Sequence, residues 1–462
     1  MTEGEYCNLI LLMTTPPPLT SPWGVPARLP PLGLAYVAAA LEKAGFQVQI
    51  LDNYQLKTQA DHVKLEVKRL DPEIVGISCS SVTYERCVET AKAVKEVKPS
   101  CRVVVGGWHP SYVPNSMLQH PEIDYVVMGE GENAMAELAT HIAKGDGDRV
   151  IAKIPGVACR YEGKMVKNDP KIVADLDQFP YPARHLLPMH IYDRRIDYLS
   201  AKPVDVVNVI RGCPYNCAYC ETRKLWGQKC RAFSPGRIVE EIEYMAKNYG
   251  SKGIYFIGDN FTINKKHTLE TCDLMKKNKL DVEWVCDTRV DLISRDLLRE
   301  MKTAGCKSIF FGVQSGSPPI LKKLNTNITT EQVVKAFNVC REEGIQIACS
   351  FMLGIPGETV KDMETTFKFA KDLDPDWCHF YVFIACPNSS LYEEVLQSHL
   401  YDRMEGFLAF AKTDDFNYES VLELQKRFQR GYNLSRKRIL RKMRREGFFS
   451  VLKDGFDYAF RR

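Results

Sequence analysis

Along the chain, short runs of aliphatic and β-branched residues alternate with longer stretches whose apolar positions recur every three or four residues. From residue 8 to about 145 the order is NLILLM, the helical PLGLAYVAAALEKAG, VQIL, a mixed helix near 59–70, EIVGIS, YERCVETAKAVKEVK, RVVVGG, DYVVMG and ENAMAELATHIAK. In the helix at 84–98, Cys87, Ala91, Val94 and Val97 share one face, with lysines and glutamates around the rest. Five strands alternating with helices predict a parallel, doubly wound, Rossmann-like sheet.

The rhythm is lost over 146–205, which carries GDGD, a hairpin-like VACRYEGKMV and the proline-punctuated DLDQFPYPARHLLP. It resumes from 206 to about 385. VVNVI, GIYFIG, VEWVCD, SIFFGV, IACSFML and CHFYVFIA alternate there with helices, some of them visibly capped by Ser234 before Pro235 and by Thr329 with Gln332. Six strand-helix units without a dinucleotide-binding glycine fingerprint predict a partial, TIM-like (βα)6 barrel, open on one side. The expected division is 1–150, a linker at 151–198, a barrel at 199–390 and a helical, basic region at 391–462 that includes RKRILRKMRRE. That basic run reads first as a solvated helix face, and second as a contact for a membrane surface or an anionic substrate.

Size and charge narrow the picture only a little. The 462 residues suffice for two or three domains with their own cores. With 62 basic and 58 acidic residues, a net charge of +4 commits the whole molecule neither to nucleic acid nor to membrane. The best apolar run, LGLAYVAAAL at 32–41, is about half the ~18–20 residues a bilayer span requires. Sixteen cysteines scattered without a leader-like start predict reduced thiols in a cytoplasm.

Three of those cysteines stand apart. Cys213, Cys217 and Cys220 have the spacing C-x3-C-x2-C on the loop after the first barrel strand, which opens onto the face where barrel active sites are built. A structural zinc site needs four ligands, and Cys230 is the nearest fourth, with no second two-residue couple. Three thiolates suit a four-iron cluster with one iron left open, since such clusters are otherwise held by four cysteines.

With Tyr219 just before the last cysteine, this loop resembles that of the radical S-adenosylmethionine (SAM) superfamily. The resemblance implies that Cys213, Cys217 and Cys220 hold a 4Fe-4S cluster whose open iron chelates SAM, and that reductive cleavage gives a 5′-deoxyadenosyl radical. SAM contacts are then expected from Tyr219, Gly258, Asp259, Asn260, Arg289, Gln314, Leu353 and Gly354, with Gly258-Asp259-Asn260 in place of a GGE-type motif. The segments FFGVQSGSPPILKKLNTNITTEQ and FMLGIPGET are similar to the cobalamin-linked branch.

The front domain, by the order PPLGLAYVAAAL, SCSS, GGWHPS, VVMGEGE and FPYPAR, resembles the cobalamin-binding domain of that branch. The ends of its strands would bind the ligand, through Ser78, Ser80, Ser81, Gly106, Gly107, His109, Gly129 and Glu130. The D-x-H-x-x-G motif is absent from the first loop, so cobalamin is expected without a histidine ligand, and His109 as a structural or cofactor-edge residue.

The resemblance implies an anaerobic C-methyltransferase acting on an unactivated carbon of a small-molecule or lipid-like substrate, with a low-potential flavodoxin- or ferredoxin-type electron donor. The alternatives are an oxidative cyclase, ring-contracting or hydroxylating enzyme with the same cofactors, a methylthiotransferase, or a sensor that binds both cofactors without turnover. Tyr381, Phe383 and Trp226 are candidate pocket residues that also suit a barrel core.

Overall fold

The computed structural model describes residues 6–18, 28–435 and 438. The first alternating series forms five parallel strands, β1 (Tyr6–Thr14), β2 (Phe46–Leu51), β3 (Ile74–Ser78), β4 (Arg102–Gly106) and β5 (Tyr125–Val127). Ile10 to Met13 and Val103 to Val105 are each at most 2% exposed, because helices cover both faces of the sheet. Leu32–Lys43 and Gly131–Ala143 pack on one side, Ala60–Leu70 and Tyr84–Val97 on the other.

The hairpin-like piece of the expected linker belongs to this sheet. β6 (Val157–Tyr161) and β7 (Lys164–Lys167) add antiparallel to β5, giving the order β2-β1-β3-β4-β5-β6-β7. Buried Val157, Ala158 and Cys159 cover an edge that would otherwise present unpaired amides. The rest of the linker docks on both neighbours. Ala183 N–H donates to Ala35 O (2.9 Å), Tyr192 O–H donates to Asp52 Oδ2 (2.8 Å), and buried Arg184 donates to Val206 O (2.6 Å).

The second series gives β8 (Val204–Arg211), β9 (Arg231–Ala232), β10 (Gly253–Gly258), β11 (Glu283–Thr288), β12 (Cys306–Gln314), β13 (Gln346–Leu353) and β14 (Trp377–Val382). Their order is β14-β13-β12-β11-β10-β8-β9, and all but the two-residue β9 run parallel, as the open six-unit barrel requires. The expected caps form: the Ser234 side chain accepts from Arg237 N–H, and Thr329 and Gln332 make a capping box.

The region after 390 is not all helical. Between helices Ser390–Gln397 and Tyr418–Asn433, β16 (Tyr401–Glu405) and β17 (Leu408–Ala411) form a hairpin, and β17 also pairs with β15 (Ile384–Ala385). Four consecutive buried residues, Leu-Ala-Phe-Ala, carry neither period, so the sequence pattern does not separate strand from helix there. The basic run at 436–446 lies outside the described residues apart from Arg438. Among the described residues no helix is long and apolar enough to cross a membrane.

The end of β4 sets one strict requirement. Gly107 has φ +104°, and a Cβ there would lie 2.7 Å from the Cys79 carbonyl oxygen. Gly107→Ala is expected to cost roughly 2 kcal/mol of unfolding free energy in urea titrations, whereas Gly106→Ala, where a Cβ comes no nearer than 3.4 Å to Val127 O, is expected to cost clearly less.

Candidate active site at the domain junction

β8 ends at Arg211, and the loop that follows, residues 212–230, returns through β9, whose Arg231 pairs with Arg211. This loop is pinned from several sides. Ala218 N–H donates to Leu324 O (2.9 Å), Leu391 N–H to Ala218 O (3.0 Å) and the Asn325 amide to Asn216 O (2.7 Å). Arg289 lies 3.7 Å from the centre of the Tyr215 ring while bonding Asp291 and Thr326 O.

Fifteen described cysteines are unpaired, and ten of them are buried. The five that are not buried are Cys213, Cys217, Cys220 and Cys230 on this one loop, and Cys386. Burial pushes the Cys213 thiol up to about 12, and the Asn260 amide donates to its sulfur (3.6 Å). Among the described residues no three His, Cys, Asp or Glu side chains converge as ligands of one ion. A 4Fe-4S cluster distributes its thiolates over separate irons and does not require that convergence, so the donor set fits a cluster.

The rim around the loop separates into groups that are available and groups that build the rim. Asp259 is half-buried beside the Gly212 amide and the Thr222 hydroxyl; desolvation raises its carboxyl to about 6, and its Oδ2 has no hydrogen-bond partner. An orphaned acceptor next to the cysteines fits a cationic amino group such as that of SAM. Gly258 packs on the neighbouring strand, where a Cβ would meet Ile210 at 2.6 Å. Gln314 takes φ +71° and folds its amide back over Gly312. Tyr219, part-exposed, packs beside Cys217, and burial raises its phenol well above the ordinary range.

Leu353 is wholly buried in the barrel core, its carbonyl accepting from Phe383 N–H. Next to it Glu358, which the sequence reading left unassigned, accepts from the Gly354 (2.7 Å) and Ile355 (3.0 Å) amides, 1% exposed, with burial raising its carboxyl to about 8. Glu358 therefore shapes the turn that the glycines only permit.

In the front domain, Ser78, Ser80, Ser81, Gly106, Gly107 and His109 come together at the ends of β3 and β4. Ser80 caps the turn through Thr83, and Cys79 N–H donates to Gly106 O (2.8 Å). His109 is fully buried with both ring nitrogens engaged, Nδ1 with Ser81 Oγ (3.0 Å) and Nε2 with Ser116 Oγ (2.9 Å). It has the surroundings of a structural histidine, with Phe407 from the C-terminal hairpin packed 4.7 Å away. Trp108, half exposed, opens the helix Trp108–Tyr112, which packs on Thr222–Trp226; Tyr112 O–H donates to Glu221 O (3.4 Å), one residue past Cys220.

Gly129 and Glu130 take a different place from the one expected. The Gly129 amide donates to Ser111 Oγ (2.9 Å), and Glu130 turns into the junction between the domains. There Arg211 binds Glu130 (3.1 Å) and Glu132 (2.6 Å), and Arg231 binds both oxygens of Glu130 (2.8 and 3.0 Å). All four side chains are at most 6% exposed. Tyr36, Phe179 and Trp226 surround Arg211 within 5.5 Å. Glu130 is thus committed to clasping the neck of the cysteine loop rather than to the ligand rim. The adjacency of Arg211 to Gly212-Cys213 was the only signal for it in the sequence.

Residues 207–370 match the radical SAM superfamily, and residues 25–139 match the B12 binding domain family. An uncharacterized methyltransferase of Pyrococcus horikoshii is 33% identical over 373 residues, 80% of this chain and 79% of the relative. This chain belongs to the radical SAM superfamily. It carries that superfamily's B12-binding front domain, and is an enzyme with a 4Fe-4S cluster, SAM and cobalamin as its cofactors. The anaerobic magnesium-protoporphyrin IX monomethyl ester cyclase of Rubrivivax gelatinosus is 31% identical over 389 residues, 82% of this chain and 67% of the relative. In fold, the chain resembles the radical SAM methyltransferase TsrM of Kitasatospora setae, solved with cobalamin and a 4Fe-4S cluster, at a TM-score of 0.69 and 20% identity, covering 87% of this chain and 76% of that one.

Two outcomes follow for this radical SAM chain. Glu130→Leu leaves Arg231 and half of Arg211 buried without a counter-charge, an expected loss of about 3–5 kcal/mol by urea unfolding; the quadruple variant Glu130→Leu, Glu132→Leu, Arg211→Met, Arg231→Met should recover most of it. For Glu358 the folded carboxyl sits near 8 against an ordinary 4.5. The folded state therefore binds the extra proton, and stability contributed at low pH is lost as pH rises between about 4.5 and 8. Glu358→Gln should flatten that part of the stability profile.

Proposed function

We propose that this enzyme transfers a methyl group to an unactivated carbon of a small molecule, with the reaction confined to the cleft between the cysteine loop and the ends of β3 and β4. The observation that carries this is the meeting of the two faces: Tyr112, from the helix after β4, hydrogen-bonds the residue directly after Cys220. When bound, the cluster with SAM supplies a hydrogen-abstracting radical and cobalamin supplies the methyl group.

The chain's own residues hold and enclose these groups. Cys213, Cys217 and Cys220 ligate iron, Asp259 takes the amino group of SAM, and Glu358 holds the Gly354 turn against the cofactor. Trp108 and Tyr112 close the cleft from the front domain and keep water out. The buried His109 bonds two serines, which supports cobalamin binding without a histidine ligand from this chain.

A one-electron, low-potential flavodoxin- or ferredoxin-type protein is the proposed reductant. The fifteen unpaired cysteines support a reducing, cytoplasmic setting. A cyclase or other oxidative outcome is the second reading, favoured by the 31% identity to the Rubrivivax cyclase.

Replacement of each loop cysteine by Ala, followed by anaerobic reconstitution, should abolish deoxyadenosine formation and lower iron content; substantial remaining cleavage would sink the assignment. In the wild type, S-adenosylhomocysteine formed together with deoxyadenosine supports methylation, and deoxyadenosine alone with a dehydrogenated product supports the oxidative reading.

A further inference from the structure

The C-terminal hairpin reaches beyond its own small sheet. Its base stands on the barrel rim: β15 begins directly after Phe383, whose N–H donates to Leu353 O (2.8 Å). The helix that follows, Ser390–Gln397, is tied to the cysteine loop, where Ala218 O accepts from the Leu391 N–H (3.0 Å) and from the Ser390 hydroxyl (3.4 Å).

The tip of the hairpin lies against the front domain. Gly406 takes φ +56°, and the chain turns there between β16 and β17. Beside it the half-buried Phe407 ring packs on His109 (4.7 Å, 52°) and edge-on to Tyr84 (5.2 Å, 80°), and those two rings are themselves 5.0 Å apart. All three separations fall in the range where aromatic pairs attract.

The two receiving rings are anchored. The Tyr84 hydroxyl bonds His120 Nε2 (2.8 Å) and Ser116 O (3.2 Å), while the fully buried His109 holds Ser81 and Ser116 through its two nitrogens. Tyr84 directly follows the Ser81–Thr83 turn that Ser80 caps, and His109 follows Gly107-Trp108 at the end of β4. Phe407 therefore presses on the point where the loops after β3 and β4 are fastened together.

The rest of the turn is poorly held, since Asp402 to Gly406 are all exposed. A ring at such a turn is sheltered only by a socket, and here the socket belongs to the other domain. The hairpin thus links the cysteine loop to the ends of β3 and β4, independently of the bond between Tyr112 and Glu221.

We propose that the hairpin tip belongs to the cobalamin site. Phe407 is a positioning residue: through His109 and Tyr84 it holds the Ser80-Ser81 and Gly107 loops in the form that receives cobalamin. The inference rests on cobalamin binding at the ends of β3 and β4, and it adds to that site a segment from beyond the barrel. By linkage, whatever the seated tip contributes to cobalamin binding, bound cobalamin contributes to the seating of the tip.

Hydroxocobalamin added to the full-length chain with its cluster reconstituted, followed by equilibrium dialysis and visible absorbance, tests this. Phe407→Ala is expected to weaken cobalamin binding about tenfold, with iron content unchanged. Met404→Ala, at an exposed position of the same hairpin, should leave the affinity within about twofold of wild type. In the wild type, the amides of residues 406–408 should exchange with deuterium more slowly once cobalamin is bound.

Unchanged cobalamin affinity in Phe407→Ala, an equal loss in Met404→Ala, or hairpin exchange that cobalamin does not slow would each overturn the proposal. The exchange measurement needs no variant, so it decides the matter even where Phe407→Ala does not fold. A wild type that takes up no cobalamin overturns the reading of the front domain on which the proposal rests. One that takes it up with hairpin exchange unmoved overturns the proposal alone.

Discussion

Two arginines at the neck of one loop and two glutamates from another domain, all removed from water, form the constraint on which the rest of this molecule depends. Desolvating four charges is expensive, and well-packed apolar side chains would serve stability equally well. What the charges add is direction. Arg211 reaches two carboxylates, and both oxygens of Glu130 are spanned by Arg231, so the pairing holds in one relative orientation. The Val173 amide and carbonyl complete the cluster, drawing the linker into the same joint. The cysteine loop is therefore fixed at its root relative to the front sheet, while its middle is held by the barrel through Ala218, Asn216 and Tyr215.

Side chains between strands and helices make an apolar core that holds the strands in register. Three carboxyls stand apart from it: Asp259 and Glu358, in the segments after β10 and β13, and Asp287 on β11 are all raised toward neutrality by burial. Each keeps one oxygen without a partner.

Much of this was legible in the sequence because the strand-helix alternation is strong and the cysteine spacing is unusual. Both sheets, the caps at Ser234 and Thr329, and the placement of Cys213, Cys217 and Cys220 after the first barrel strand follow from periodicity and spacing. What was not legible depends on distant partners. Glu130 looks like any residue of a βα turn until Arg211 and Arg231 are placed beside it. β9 is two residues long, and β6 and β7 are recognisable as a hairpin but not as the edge of a particular sheet. The β16-β17 hairpin lacks alternation altogether, so local propensity says little about it. His109 is the intermediate case: the missing motif argued for a structural role, and the two serine partners show what that role is.

The clasp also has a history in the making of the chain. Glu130 and Glu132 leave the ribosome some eighty to a hundred residues ahead of the arginines that neutralise them, as the sequence separations of 79 to 101 record. Until then the front sheet can assemble with its acidic loop in water, where two carboxylates cost nothing. The arrival of Arg231 turns that hydrated loop into a dry seam, so the last step of domain docking is a loss of water that neither half can undergo alone. Cutting the gene at the apparent domain boundary would accordingly yield two pieces that each carry an unmatched charged surface.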